Sequence, residues 1–251
     1  MTIREARKQQ WEAVKNCSTK EKLLYFWEYY GIKSICLLIG IVVLIGFIVS
    51  MVTKKDYAFT GVFFGASQQD GVQQYLQEFG EVAGIDPKEY EISVQCHLDV
   101  QMDQAITQEI YDSMNAFATM VAAQSVDSFA AEQDLFFYYG YLGYAADLRT
   151  VLTDRELADL APYVYYIDSK VLEQRNNTDD MLPEVNVNYP DPTKPEAMTD
   201  PIPVAISLSA ATQAFRDNYQ FHGDALIGIC ASASYPQNAA AFLRYCLGLS
   251  Q

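Results

Sequence analysis

From Ser34 to Thr53 the chain reads SICLLIGIVVLIGFIVSMVT, twenty consecutive residues without a charge. At the helical rise of about 1.5 Å per residue this run spans roughly 30 Å, the thickness of a bilayer's hydrocarbon core. Buried core helices rarely reach such a length with no polar face. A cleaved leader does not fit either, because 33 residues precede the run and no small-x-small site follows Val52 before Lys54 and Lys55. The run therefore divides the 251 residues into a tail (residues 1–33), a transmembrane helix (residues 34–53) and a domain (residues 54–251).

The two flanks differ in charge. The tail carries seven Lys or Arg against four Glu, whereas residues 54–251 carry ten basic against 28 acidic residues, a net of −18. Basic residues beside a span favour the cytoplasmic side, so the expectation is a single-pass protein of the cell membrane with its tail inside and its domain outside. Lys54 and Lys55, on the outer boundary, narrow the margin. An overall charge of −15 excludes nucleic-acid binding by a basic surface, and a 50% hydrophobic content excludes a disordered acidic tail. In the tail, Ser18-Thr-Lys-Glu21 is a capping box ahead of KLLYFWEYY. It predicts a helix from about Lys20 that runs into the span, with Trp27, Tyr29 and Tyr30 at the interface.

The domain reads as alternating strands and helices. Tyr57 to Phe64 suits a buried strand; after the loop GASQQD, the residues Val72, Leu76, Phe79 and Ala83 recur at helical spacing until Gly84. Tyr90 to Leu98 alternates as a second strand, Ile106, Ile110, Met114, Phe117 and Val121 form one helical stripe, and Ser125 to Ala130 fits a third strand. Strand, helix, strand, helix, strand implies parallel pairing with right-handed crossovers. Beyond Glu132, DLFFYYGYLGYAADLRTVL is too aromatic for a solvated helix. Thr153-Asp-Arg-Glu156 is a second capping box, and Pro162 closes its helix near VYYID. Six of the nine prolines lie between Met181 and Pro203, which marks residues 176–202 as a proline-rich loop. Strands at Pro203 to Leu208 and Ala225 to Ala231 and a helix bearing Ala239, Phe242, Leu243, Cys246 and Leu247 complete the chain. The fold class is α/β, a three-layer domain with a mostly parallel sheet.

Motifs for catalysis are missing: there is no G-x-S-x-G, H-E-x-x-H, G-x-x-x-x-G-K or G-x-G-x-x-G. His97 and Cys96 are neighbours on a strand and point to opposite faces, so they do not share a metal. Asp179 and Asp180 lack calcium-loop spacing. No enzyme activity, cofactor or metal is expected. Cys96, Cys230 and Cys246 are odd in number with no C-x-x-C, and read most economically as buried thiols.

Three stretches carry a resemblance: AQSVDSFAAEQDLFFYYGYLGYAADLRTVL, IPVAISLS and the closing ALIGICASASYPQNAAAFLRYCL. Together they resemble the membrane-anchored, extracellular solute-binding-like proteins of low-GC Gram-positive bacteria, of the type II periplasmic-binding-protein class. The resemblance implies the fold of one lobe of such a protein and a small-molecule, sugar or peptide ligand. The length falls short of the class's two lobes, and the transmembrane anchor departs from its usual lipidated cysteine.

In an open parallel sheet the ligand crevice lies beyond the carboxyl ends of the strands. There the sequence places Ser67, Gln68 and Gln69 after the first strand, Asp127 and Ser128 at the third, and Ser207 and Ser209 after the fourth, with Tyr138, Tyr139 and Tyr141 as aromatic walls. Two functions fit. One is a ligand-binding module at the outer membrane surface, beside a transporter or as a sensor. The other is a degenerate lobe that binds a membrane-protein partner. Polar loops converging on an aromatic-lined pocket favour the first, and a shallow crest with an exposed apolar patch the second.

Overall fold

The computed structural model describes residues 18–53, 55–100, 102, 107–176 and 189–249. The chain separates into two compact units, residues 1–54 and Lys55–Gln251. The first unit is a single described helix, α1 (Thr19–Thr53), 35 residues long, with its start one residue from the predicted one. Its stretch Gly31–Val49 has a mean hydropathy of 2.8 and is long and apolar enough to cross a membrane. Leu37, Leu38 and Phe47 on it are each more than 60% exposed, unlike the side chains of a core helix.

The second unit is built on a six-stranded sheet. In chain order its elements are β1 (Asp56–Phe63), β2 (Ala66–Gln68), α2 (Val72–Val82), β3 (Tyr90–Gln95), α3 (Gln108–Ala122), β4 (Ser128–Glu132) and α4 (Gln133–Gly140). There follow α5 (Asp154–Asp159), β5 (Val164–Asp168), α6 (Ser169–Asn176), β6 (Pro201–Ser207), α7 (Gln213–Asn218), β7 (Tyr219–Phe221), β8 (Ala225–Ile229) and α8 (Pro236–Leu247). Strand order is β3-β1-β4-β8-β6-β5, and β2 pairs with β7 in a separate ribbon.

The first half forms as its pattern predicts. β1 pairs parallel with β3 on one side and β4 on the other. Along β1, side chains alternate between faces: Phe59 and Phe63 enter one core, Val62 and Phe64 the other. The helix α2 lays Val72, Tyr75, Leu76 and Phe79 on the first face beside Phe242 and Leu243 of α8. Phe117 and Val121 of α3 cover the second with Leu135, Phe136 and Tyr139 of α4. Three layers result, because each amphipathic helix buries its one apolar stripe on the nearer sheet face.

The expectation of a mostly parallel sheet is corrected in the second half. β8, from near the end of the chain, inserts antiparallel between β4 and β6, and β5 pairs antiparallel with β6, so the sheet is mixed. No crossover helix joins β4 to β8 directly, and such long-range pairing leaves no periodic trace in the local sequence. At Gly228 of β8, an added Cβ would lie 2.6 Å from both Phe136 Cζ and the Val204 carbonyl, so only glycine allows α4 to pack so closely.

The third strand begins at Ser128, three residues later than expected, and VYYID is the strand β5. The capping box at Thr153 is present: its hydroxyl accepts from Glu156 N while Glu156 accepts from Thr153 N. From α8, the Arg244 guanidinium reaches the Glu156 carboxylate at 2.5 Å, and with the Thr153 donors it holds that acid at about 2. Of the proline-rich loop, Tyr189 onward is described and includes a short 3-10 turn, Pro195–Ala197; Ile106 and residues 177–188 lie outside the described residues. Cys36, Cys96, Cys230 and Cys246 are free thiols.

Candidate functional site

The parallel strands β1, β3 and β4 and the co-directional β6 point their carboxyl ends to one crest, and the chain runs from β1 to β3 on one side and then from β3 to β4 on the other side of β1. Topology alone locates a ligand crevice there. The structure sends Ser67, Gln68 and Gln69 to this crest, but as parts of its framework. The Ser67 hydroxyl donates to the Gln220 carbonyl at 3.4 Å, the Gln68 amide to the Val94 carbonyl at 2.7 Å, and Gln69 N to the Asn218 carbonyl at 3.0 Å. Ser207, at the end of β6, accepts from Ser209 N at 3.2 Å and caps the 3-10 turn Leu208–Ala210.

Asp127 and Ser128 lie at the opposite end of the sheet, at the start of β4. Asp127 is 4% exposed and accepts from Thr60 N and Tyr235 N, both at 2.9 Å, tying β1 to the entrance of α8. Burial pushes its carboxyl above the usual carboxylate range, and the N–H donors only partly offset this. Ser128 donates to the Gly228 carbonyl at 2.8 Å across the β4–β8 pair. The residues expected at one crevice thus serve several places.

The tyrosines divide according to helical period. On α4, Leu135, Phe136 and Tyr139 face the sheet, and Tyr139 is 2% exposed, stacked on Phe64 at 5.6 Å and Tyr144 at 5.7 Å. Its hydroxyl is buried without a hydrogen-bond partner among the described residues. Gln133, Asp134, Phe137, Tyr138 and Tyr141 form the adjacent stripe, at spacings of three to five residues, and line a flank cavity of about 370 Å³. Tyr138 and Tyr141 are the expected aromatic walls that this cavity brings together.

The far wall comes from distant sequence. From α6, Arg175 lies over the Tyr138 ring at 5.5 Å and donates to the Tyr138 carbonyl at 3.4 Å. Tyr189, Pro190, Asp191 and Pro192 close the side, with the Tyr189 and Tyr141 rings 4.5 Å apart. Hydrogen bonds hold this segment and the turn that follows it. Tyr166 N on β5 donates to the Pro192 carbonyl at 2.9 Å. Asp191 accepts from Lys194 Nζ and the Thr193 hydroxyl, both at 2.7 Å, which keeps its carboxyl well below the usual range. Asp168, 4% exposed, accepts from Lys170 N, Thr199 N and Asp200 N; burial alone would raise its pKa, and the three donors outweigh that and lower it.

The crest carries its own concavity of about 370 Å³, lined by Val100, Met102, Glu132, Gln133, Asp134, Leu135, Gly223 and Asp224. Among the described residues no group of three His, Cys, Asp or Glu side chains is arranged to hold a metal. Sequence reasoning missed Gln133, Asp134, Phe137, Arg175 and Tyr189. The first three follow from Tyr138 and Tyr141 by helical spacing; Arg175 and Tyr189 reach the site only through β5, α6 and the returning loop. Compared with protein-family models, curated proteins and solved structures, the chain matches none.

Proposed function

We propose that this protein is a membrane-anchored, extracytoplasmic ligand-binding module, with α1 as a single-pass anchor, the tail cytoplasmic and the domain outside. The flank cavity carries this reading: four aromatic rings converge with planar polar side chains on one concave volume, the composition by which proteins hold small molecules. The exposed apolar side chains of α1 support the anchor, since lipid is the medium that covers such a surface without cost. The excess of basic residues in the tail supports the orientation. A place beside a transporter or in a sensor suits a tethered module of this size, in keeping with the solute-binding-like resemblance.

A second reading, an interaction domain within a membrane complex, draws on one observation. Ser67 and Gln68 hydrogen-bond within the framework, and Asp127 and Ser128 do so at the other end of the sheet, so these four do not converge as a polar site at the crest.

Thermal unfolding of the full chain in lipid nanodiscs, against a panel of sugars, amino acids and short peptides, separates the two. A ligand selective for the folded state stabilises by about 2.7 kcal/mol at a hundredfold excess over its dissociation constant. The binding module predicts a rise in midpoint that Tyr138→Ala abolishes; no rise with any compound rejects it in favour of the interaction domain. Antibody access to a C-terminal tag on intact cells tests the orientation.

A further inference from the structure

The two edges of the six-stranded sheet are finished differently. At one edge β5 is covered by the chain itself, because Tyr166 N on its outer side donates to the Pro192 carbonyl at 2.9 Å. At the other edge stands β3, which pairs with β1 alone. Its far end is held where the Val94 carbonyl accepts from the Gln68 amide at 2.7 Å. Among the described residues, nothing hydrogen-bonds to the outer side of residues 91–93. An edge strand directs alternate N–H and C=O groups outward, and natural edges blunt that template with Lys, Pro or a covering loop. The strand β3 reads YEISVQ, without Lys or Pro, and no described loop lies along it.

We infer that β3 takes up an extended segment of another protein as an added strand, and that this segment alternates apolar residues with Lys or Arg. The edge lies across the sheet from the flank cavity, so the inference stands whether or not that cavity holds a ligand.

The alternation comes from the two faces of β3. Tyr90 and Ile92 point to the α2 side, where with Ile85, Pro87, Gln77 and Glu81 they border a groove of about 820 Å³. Gly80 keeps α2 this near, since an added Cβ would lie 2.9 Å from Ile92 Cδ1. A strand laid along β3 lowers every second side chain into the groove, whose floor of Ile85, Pro87, Tyr90 and Ile92 suits apolar ones. Glu91 and Ser93 belong to the other face, where a basic residue directly across from Glu91 makes the favourable cross-strand pair.

Charge decides between partners. Residues 78–95 carry five carboxylates, Glu78, Glu81, Asp86, Glu89 and Glu91, against Lys88 alone. Lys55, which reaches this rim from ahead of β1, is occupied in donating to the Pro87 carbonyl at 2.6 Å. A basic segment is drawn to such an edge and an acidic one is repelled. A second copy of this chain is repelled too, because two β3 strands side by side would bring Glu89 and Glu91 of one copy against those of the other.

The test titrates the full chain, in nanodiscs of neutral lipid, with a short end-blocked peptide that alternates Lys and Val. Calorimetry reads affinity and amide hydrogen exchange reads the place. The expected result is saturable binding that slows exchange within residues 91–93. Joint replacement Glu81→Lys and Glu91→Lys should weaken it by about tenfold or more. A peptide alternating Glu and Val, and the Lys and Val peptide with alternate backbone nitrogens methylated, should both fail to bind. No binding at millimolar peptide overturns the inference. Binding that tolerates N-methylation or the charge reversal, or that protects other residues, overturns strand addition at this edge. Protection of residues 91–93 without peptide, rising with protein concentration, would assign the edge to a second copy and overturns it as well.

Discussion

The crest of the sheet and the flank of α4 hold concavities of the same volume, about 370 Å³, and share Gln133 and Asp134, yet their other walls have little in common. Crest walls add Glu132 and Asp224 to Asp134, so the charge there is of one sign. Flank walls add four aromatic rings and a guanidinium. Topology favours the crest, where loops meet the ends of parallel strands. Side-chain chemistry favours the flank, because stacking faces beside unengaged planar polar groups recognise a ligand and a set of like charges does not. In this fold, the strand ends determine where a crevice is possible, and the second stripe of one short helix brings aromatic rings and polar side chains together on the flank.

The largest effect that separates the two places should come from Asp168→Ala. The substitution removes the carboxylate that accepts from the N–H groups of Lys170, Thr199 and Asp200; those residues are exposed, so water replaces part of what is lost, and the net cost is about 1.5–3 kcal/mol, that of a hydrogen bond to a charged group. Urea unfolding should show a loss of about 1.5–3 kcal/mol, and the flank should lose its ligand response, since the returning loop that carries Tyr189 to Pro192 is tied down beside this carboxylate. Unchanged stability would mean that the loop is held by its other contacts alone.

Tyr138→Ala comes next. It removes one aromatic wall and the ring beneath Arg175, and should weaken ligand binding about tenfold, or about 1.4 kcal/mol, in a calorimetric titration. Asp224→Ala, which alters only the crest, should leave the same titration within about 0.5 kcal/mol of the unsubstituted chain. Equal effects of the two substitutions would erase the distinction between the sites.

Acid should act unevenly on the scaffold. The folded pKa of Asp168 is lowered, so its ionised form stabilises the fold above the unfolded pKa, and that contribution is lost as pH falls through the folded value. Glu156, held at about 2, behaves likewise between its unfolded value and about pH 2. Asp127 is raised, so the folded state binds its proton more tightly than the unfolded one, and its contribution declines as pH rises through that window and recovers as pH falls. Hydrogen exchange at pH 3 against pH 6 should therefore show faster opening at Thr199 and Asp200 while Thr60 and Tyr235 stay protected. Faster opening at all four would assign acid sensitivity to the whole sheet.

What the sequence made legible follows from range. The uncharged run announced α1, and the spacing of Val72, Leu76 and Phe79 announced α2, because both patterns repeat within a few turns. Parallel pairing among β1, β3 and β4 followed from the alternation of elements, but their order, with β1 between the other two, did not. β8 was recognisable as a strand, but its insertion between β4 and β6 was not, since nothing local encodes which neighbour a strand will find. The candidate site divided in the same way. Tyr138 and Tyr141 were visible in the dense aromatic run that follows Glu132, whereas Arg175 and Tyr189 lie more than thirty residues away from Tyr138 and join it only when β5 and the returning loop are in place. Asp127 was read as a crevice residue and is a staple between backbone N–H groups at the other end of the sheet, a role that a polar residue before a strand does not declare.

The most direct test of a ligand site on the flank is an NMR titration of the full chain in nanodiscs, with ring-labelled tyrosine and the panel of sugars, amino acids and short peptides as probes. The rings of Tyr138, Tyr141 and Tyr189 should shift together and saturably, while Tyr57, Tyr111 and Tyr235, exposed elsewhere on the domain, stay still. Saturable shifts that bypass those three rings, or no shift in any tyrosine, would contradict the account.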